Sequence, residues 1–456
     1  MKTLLKDGTV VSGENILVQD VLIEDEIIVK IGQNLSDSNA QIVDVRGKLL
    51  FPGFIDAHTH FDLEAAGTVT ADDFITGSRA AILGGTTTVI DFATQYHDES
   101  LKHAFAHWLT KAKDKSSCDY GFHMAISDWN GSVSDEITDM IDLGVTSFKL
   151  YMTYDDMKVS DKEIYQILKR LKAVGGIAGV HCENSGIISA LVEEQKKLGH
   201  SGSYCHPITR PAQAEAEAVS RLLRIAEIAD TPVIIVHLTS KVAYEEVLRA
   251  RKRGQTVYLE TCPQYLLLDD SLYNLPDPEG FKYIIAPPLR KKEDQDCLWS
   301  ALAENQIQTV STDHCSFTLE QKLVGEQDFS VVPGGMPGVE DRAVLMYTYG
   351  VKQNKISLIQ MCLLLSENPA KLYGAYSRKG RIAPGADADI VVFDPEATGI
   401  ISAKTQAYNM DYAPYEGFET CGRVIDVYLR GRKVVDKSEV VAEHSGVFLR
   451  RGTCGF

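Results

Sequence analysis

The middle of the chain alternates between short apolar runs and amphipathic stretches with helical spacing. The apolar runs have the length of buried strands, and the amphipathic stretches repeat apolar positions every three or four residues. One stretch starts at Ser160, which with Glu163 matches a capping box, and Gly175 follows as a stop signal. The runs number eight and lie at Phe54–His60, Thr86–Phe92, Tyr120–Ile126, Val145–Leu150, Ile177–His181, Val233–His237, Thr256–Glu260 and Thr309–Asp313. Eight such alternations predict a (β/α)8 barrel of the TIM type.

Both ends of the chain have a different pattern. Short β-prone runs broken by Asp7-Gly8 and Ser12-Gly13 fill the N-terminal segment, and the same pattern returns at Ala388–Phe393. Chain termini commonly lie close together, so the two ends can form one domain. We therefore predict a small discontinuous β-sandwich domain built from residues 1–50 and 378–456, with the barrel at residues 51–377.

Composition and charge narrow the function classes. Lys and Arg total 46 against 63 Asp and Glu, a formal net charge of −17. Such an acidic surface repels phosphate backbones and anionic lipids, so we expect no nucleic-acid or membrane partner. The charged segment Met1–Gly8 lacks the apolar core of a signal peptide, and no apolar run approaches the roughly 18–20 residues of a membrane span. The nine cysteines are scattered without a Cys-x-x-Cys pair, which favours a reducing, cytoplasmic location.

Polar residues that can bind metals collect at the carboxyl ends of the predicted strands. Active sites of (β/α)8 barrels lie at this face. His58 and His60 are alternate residues of one strand, so their side chains point to the same side. A single histidine here is most often a hydrogen-bonded core residue, but six polar groups at five strand ends are hard to explain in that way. We interpret them as a metal site, to which zinc is best suited and manganese, cobalt or iron are possible substitutes: His58, His60, Lys149, His181, His237 and Asp313.

Lys149 is the most informative member of this set. One hypothesis is a salt bridge to Asp313, which would compensate both buried charges. The other is that its amine reacts with carbon dioxide to give a carbamate, an anion whose two oxygens can bridge two metals. Two metals about 3.5–4 Å apart would then share the carbamate and a hydroxide. The hydroxide would form at neutral pH because the metals lower the pKa of bound water to about 7.

The chain resembles the hydantoinase/dihydropyrimidinase family of the amidohydrolase superfamily. Gly53–Asp62 resembles the strand-one motif of amidohydrolases. The segments that resemble the narrower family are Thr68–Phe74, Gly84–Thr88, Gly179–Asn184, His237–Ser240, Glu260–Tyr265 and Thr312–Phe317. These motifs occur in order along the chain, and the resemblance runs from Lys6 to the C-terminal β-segment, which is nearly the whole chain.

The resemblance implies a role for each residue of the site. His58, His60, Lys149 and Asp313 would hold the more buried metal. Lys149, as N6-carboxylysine, would join it to a more exposed metal held by His181 and His237. Asp313 would act as general base and then as proton donor, while the Tyr154 hydroxyl would bind the oxyanion. The bridging hydroxide would attack the ring amide, and the product would be an N-carbamoyl amino acid. The resemblance also implies a homotetramer.

Substrate recognition departs from the family pattern in three places. Ala286 stands where the family often has a serine, and Gly334 lies where many members have Pro-Asn-Gly-Gly. Both family contacts run through the backbone, so Ala286 and Gly334 remain predicted substrate-binding residues. In the loop after His60, the small Ala65 would leave room for a larger substituent on the ring, and Glu64 would attract a cationic one.

Three alternatives remain at the level of sequence. An allantoinase or dihydroorotase of the same fold is disfavoured by Tyr154 and by the segment Glu260–Tyr265. A non-catalytic dihydropyrimidinase-related scaffold is disfavoured because all six ligand positions are filled. A phosphotriesterase-like hydrolase is disfavoured by the terminal β-domain. The sequence therefore favours a cyclic amidohydrolase that opens hydantoins or dihydropyrimidines.

Overall fold

The computed structural model describes residues 2–455. The strands are β1 Lys2–Val11, β2 Ile16–Glu24, β3 Ile27–Gly32, β4 Gln41–Asp44, β5 Leu49–Pro52, β6 Phe54–Thr59, β7 Glu64–Ala65, β8 Thr68–Val69, β9 Thr86–Thr94, β10 Asp119–Ala125, β11 Ser147–Tyr151, β12 Ile177–His181, β13 Val233–Ile235, β14 Val257–Thr261, β15 Thr309–Val310, β16 Ile390–Ile400, β17 Glu419–Leu429, β18 Arg432–Asp436 and β19 Glu439–Val440. The α-helices are α1 Thr76–Leu83, α2 Leu101–Ala112, α3 Gly131–Asp142, α4 Asp161–Val174, α5 Ser185–Lys197, α6 Cys205–Thr209, α7 Ala212–Ala229, α8 Lys241–Lys252, α9 Pro263–Leu267, α10 Lys292–Ala303, α11 Leu319–Lys322, α12 Arg342–Leu345, α13 Leu358–Cys362 and α14 Asn368–Leu372. Short 3-10 turns cover Asp270–Asn274, Glu279–Tyr283, Leu323–Gly325 and Phe329–Val331, and π-helical turns cover Met346–Val351 and Leu363–Glu367.

Eight parallel strands form the barrel in the order β15-β14-β13-β12-β11-β10-β9-β6. A parallel bridge between Thr59 and His314 joins the first strand to the segment after the last one, and the His60 N–H donates to the His314 carbonyl at 2.8 Å. Each strand lies within or overlaps one of the eight apolar runs. The predicted (β/α)8 barrel is therefore confirmed.

Helix α4, outside the barrel, follows its capping signals. The Ser160 side chain accepts from the Glu163 N–H, and the Glu163 carboxylate accepts from the Ser160 N–H, which confirms the capping box of α4. Gly175 ends this helix at φ +77°, in the left-handed region where glycine is favoured. The buried face of α4, which packs on the barrel, consists of Ile164, Ile167, Leu168 and Leu171.

The two ends of the chain form one sheet beside the barrel. Strands β1–β5 and β16–β19 join in a nine-stranded sheet, where the C-terminal β16 pairs antiparallel with the N-terminal β5. This confirms the discontinuous terminal β-domain. The sheet has its own buried core, which includes Leu5, Val21, Leu50, Ile390 and Tyr428. The domain boundaries at residues 50 and 377 stay a prediction.

None of the helices within residues 2–455 is long and apolar enough to cross a bilayer.

Candidate metal centre and substrate pocket

A cavity of about 580 Å³ opens at the carboxyl ends of the barrel strands. Each predicted ligand either ends a strand or lies within three residues of its end, because the backbone leaves the barrel there. Asp313 is the most accessible of these side chains, at 17% exposure, and the others are nearly or fully buried. The structure brings all six predicted metal residues to this one cavity: His58, His60, Lys149, His181, His237 and Asp313.

The first group of donors surrounds the Asp313 carboxylate. Its Oδ1 atom lies 3.1 Å from Nε2 of His58 and 3.1 Å from Nε2 of His60. Ligand atoms of these three residues all lie within 4.8 Å of one another. Burial alone would raise the pKa of the Asp313 carboxyl, but the adjacent imidazoles of His58 and His60 hold that pKa well below its ordinary value. Asp313 is therefore a carboxylate at neutral pH.

The second group consists of His181 and His237. Their ring centroids are 4.6 Å apart, and the His237 ring lies 5.5 Å from that of His58, so the two groups are adjacent. Burial lowers the pKa of both His181 and His237, which keeps these imidazoles neutral. A neutral imidazole offers the lone pair that a metal requires.

Lys149 is buried without a carboxylate partner. The salt bridge to Asp313 is wrong as a hypothesis, because Lys149 Nζ makes no ion pair with any residue in the range 2–455. Instead the amine lies 5.1 Å from the ring centroids of both Phe92 and Tyr151. Burial lowers the pKa of Lys149 to about 8, although Asp313 opposes the shift. A free amine is the form that reacts with carbon dioxide, so this environment favours the carbamate hypothesis.

Two carboxylates that the sequence analysis did not assign orient the histidines. The Nδ1–H of His58 donates to Glu260 Oε1 at 2.6 Å, and the Nε2–H of His181 donates to Glu183 Oε2 at 2.8 Å. Each bond fixes the tautomer, and in a neutral ring it leaves the other nitrogen with a lone pair. A signal for both existed, since Glu260 ends the seventh apolar run and Glu183 follows His181 by two residues.

The donor set fits divalent cations. Nδ1 of His60 and Nδ1 of His237 are buried without a hydrogen-bond partner within residues 2–455, and Nε2 of His58 faces the Asp313 carboxylate at 3.1 Å. Such unpaired polar atoms are costly unless a further group binds them. Imidazoles and a carboxylate are the ligands preferred by zinc and related metals.

Removing the charge of Glu260 tests the orienting role. We expect Glu260→Gln to weaken metal affinity by about 10–100-fold, because the amide holds the His58 tautomer less firmly. The measurement is competition with a chromogenic chelator. Glu340→Gln is the control, since Glu340 accepts from the Ala407 N–H outside the cavity. Equal metal affinity in both variants would contradict this role.

Three predicted substrate-binding residues face the same cavity. The Tyr154 ring centroid lies 5.3 Å from that of His181, and the Tyr154 hydroxyl makes no hydrogen bond within residues 2–455. The backbone N–H and C=O groups of Ala286 and Gly334 likewise have no hydrogen-bond partner among the described residues. Gly334 is exposed and Ala286 is half-buried, so neither peptide is closed off within the fold. These groups are therefore available to a bound molecule.

The loop after β6 forms part of the cavity mouth. Glu64 and Ala65 both line it, as the substituent hypothesis requires. The Glu64 carboxylate lies 3.5 Å from Lys111 Nζ, so part of its charge is already compensated. Ala65 contributes only a methyl group to the lining.

Comparisons with known proteins agree with this geometry. The Amidohydrolase family profile matches residues 49–434. A D-hydantoinase of Geobacillus stearothermophilus is 42% identical, over 100% of this chain and 98% of its own. A D-phenylhydantoinase of Escherichia coli (strain SE11) is 39% identical, over 99% of this chain and 98% of its own. The crystal structure of dihydropyrimidinase from Brevibacillus agri NCHU1002 superposes with a TM-score of 0.99 at 41% identity, covering 100% of both chains.

The barrel and its strand-end donors define a metal-dependent hydrolase class. The match over most of the chain and the full-length relatives show that the chain belongs to the amidohydrolase family, in its hydantoinase/dihydropyrimidinase branch. The roles of the individual site residues stay predictions.

Proposed function

We propose that the protein hydrolyses the ring amide of hydantoins or dihydropyrimidines to an N-carbamoyl amino acid. One observation carries the proposal: six candidate metal donors, a free tyrosine hydroxyl and two unpaired peptide groups share one cavity. The relatives that cover the full chain, named D-hydantoinase and dihydropyrimidinase, support this substrate class. A cyclic imide presents carbonyl acceptors and N–H donors that match these groups.

We propose two divalent metal ions, most suitably Zn²⁺, as the cofactor. His58, His60 and Asp313 would hold one ion and His181 and His237 the other, with N6-carboxylated Lys149 contributing to both. When bound, the ions would polarise the substrate carbonyl and lower the pKa of water to about 7, which supplies hydroxide at neutral pH. A carboxyl group on Lys149 would replace a buried cation, which repels metal ions, with an anion that can bind them.

Residues of the chain carry the proton transfers and orient the substrate. Asp313, a carboxylate at neutral pH, takes the proton of the attacking water and delivers it to the leaving ring nitrogen. Tyr154 donates a hydrogen bond to the carbonyl oxygen as negative charge develops. Burial raises the pKa of the Tyr154 hydroxyl well above its ordinary value, so the group remains a donor. The peptide groups of Ala286 and Gly334 hold the rest of the ring.

Substituting Tyr154 tests the oxyanion role. We expect Tyr154→Phe to lower kcat by roughly 10²–10³-fold with little change in KM, because the bond strengthens mainly in the transition state. Steady-state kinetics with one ring substrate give both constants. Tyr151→Phe is a matched control, since Tyr151 is the neighbouring tyrosine of the same cavity and has no assigned role. A loss confined to KM would contradict the assignment.

A substrate survey tests the function directly. Purified protein loaded with zinc is incubated separately with dihydrouracil, hydantoin, phenylhydantoin, allantoin and dihydroorotate, and ring-opened products are identified by mass. We expect turnover of the hydantoins or of dihydrouracil. Turnover of allantoin or dihydroorotate alone would replace the proposal with the alternative of the same fold. A chain that binds no stoichiometric metal and opens no ring would be a scaffold.

We also propose a homotetramer, as the family resemblance implies. Large apolar side chains are exposed on and near α5 and α6, where Ile187 is 41%, Leu198 66% and Ile208 48% exposed. Contact with a second copy would remove this apolar surface from water.

A further inference from the structure

Lys322 is a buried lysine that the proposed reaction does not use. It ends the short helix α11, its side chain is fully buried, and it does not line the cavity. No carboxylate of residues 2–455 pairs with it. Instead its amine donates to the carbonyl oxygens of Ile284 and Pro333, each at 3.0 Å. Burying an amine costs free energy. A lysine in the interior that binds only two carbonyls is therefore expected to have a structural or functional role.

The two carbonyls belong to the segments that present the free peptide groups. Residues 284–286 and 333–335, which we call the pocket wall, contain Ala286 and Gly334. The segments touch, since the Gly335 N–H donates to the Ile284 carbonyl at 3.0 Å. A side chain at Gly335 would approach the Cys315 carbonyl to 2.3 Å, so the wall packs closely on the loop that carries Asp313.

His206 makes a third contact of the same kind. Its Nε2 lies 2.7 Å from the carbonyl oxygen of Ile285. A carbonyl only accepts, so Nε2 carries the proton, and burial, which lowers the His206 pKa to about 3, keeps the ring neutral. The carbonyls of the consecutive residues Ile284 and Ile285 are thereby both held, the first by Lys322 from outside the cavity and the second by His206 from its lining.

We infer that Lys322, together with His206, is a positioning residue that fixes the pocket wall so that the peptide groups of Ala286 and Gly334 meet the ring of the substrate. This inference rests on the proposed function. Burial lowers the pKa of Lys322 to about 7, and the amine keeps at least two N–H donors in either protonation state, enough for both carbonyls. The pocket wall would contact the ring both in the bound substrate and in the transition state. A variant in which the wall is disordered would therefore bind substrate more weakly, while the rate of the chemical step would change less.

The test replaces Lys322 with methionine, whose unbranched side chain has a similar length but no N–H donors. We expect Lys322→Met to raise KM by about 10-fold or more with kcat changed less than about 3-fold. Arg451→Met is the matched control. Arg451 is also a buried cation without a carboxylate partner that donates to backbone carbonyls, those of Phe122 and Tyr373, but it lies outside the cavity lining. The Arg451→Met variant is expected to have a lower melting temperature and an unchanged KM.

A second pair of variants covers the case in which Lys322→Met does not fold. His206→Gln keeps a donor near the Ile285 carbonyl, whereas His206→Leu removes it, so only the leucine variant is expected to raise KM. Wild-type KM in Lys322→Met, a KM rise shared by Arg451→Met, or equal KM in the two His206 variants would overturn the inference.

Hydrogen exchange separates this inference from the proposed function. Peptides that cover residues 284–290 and 330–338 are expected to exchange faster in Lys322→Met than in wild type or Arg451→Met. A wild-type protein that opens no ring would refute the proposed function, and the exchange data would still decide whether Lys322 holds the wall. Unchanged exchange in both peptides would overturn the inference that Lys322 holds the pocket wall.

Discussion

Replacing Asp313 with asparagine is expected to lower kcat for ring opening by at least about 10³-fold while the barrel stays folded. The amide has the shape of the carboxylate, but it cannot take the proton of the attacking water or return it to the leaving nitrogen. It also replaces an anionic donor beside His58 and His60 with a neutral one. Steady-state kinetics, metal analysis and thermal denaturation are measured on the same preparation.

The control for this variant is Asp387→Asn. Asp387 belongs to a second buried acidic group, with Asp119 and Asp389, in which Lys379 Nζ already occupies the centre, 2.6–2.9 Å from the three carboxylates. We expect it to lose stability with kcat and metal content unchanged. An Asp313→Asn variant with more than about a tenth of wild-type kcat would contradict the proton-transfer role.

Replacing Lys149 is expected to have an effect of similar size for a different reason. Lys149→Arg keeps a positive charge but cannot form the carbamate, so we expect the bound metal to fall below two ions per chain and kcat to fall by about 10³-fold or more. Lys149→Ala is expected to behave alike, and small carboxylic acids such as formate or propionate are expected to restore part of its activity. The added acid fills the vacated space and supplies the two oxygens.

The two Lys149 variants separate the carbamate hypothesis from a purely cationic role. If the ammonium itself mattered, arginine would preserve activity and alanine would lose it without rescue by carboxylic acids. Wild-type protein is expected to carry the additional mass of one carbon dioxide under native conditions and to lose it, together with its metal, on acidification. Arginine with wild-type kcat would contradict the account.

Much of this fold can be predicted from local sequence patterns. Each barrel strand is a buried apolar run bounded by turn residues, and the helices carry capping signals such as Ser160 with Glu163. The six candidate metal residues follow from one geometric rule, because parallel strands of a barrel end at one face. The alternation of side chains along a strand predicts that His58 and His60 point to one side, and both line the cavity.

Long-range contacts could not be predicted in this way. The Lys149 side chain has no ion pair with Asp313, since the position of a flexible amine depends on packing against Phe92 and Tyr151. Lys322 donates to the carbonyl of Ile284, which is 38 residues away in the sequence. This contact depends on the direction of the short helix α11, which the sequence does not specify. The unpaired peptide groups of Ala286 are likewise visible only once the whole hydrogen-bond network is known.

A crystal structure of active, metal-loaded protein, with anomalous scattering recorded at the zinc edge, tests the central claim most directly. We predict two anomalous peaks in the cavity, one beside His58, His60 and Asp313 and one beside His181 and His237, with continuous density for a carboxyl group on Lys149 between them. A single peak, or an unmodified amine at residue 149 in fully active crystals, would contradict the account.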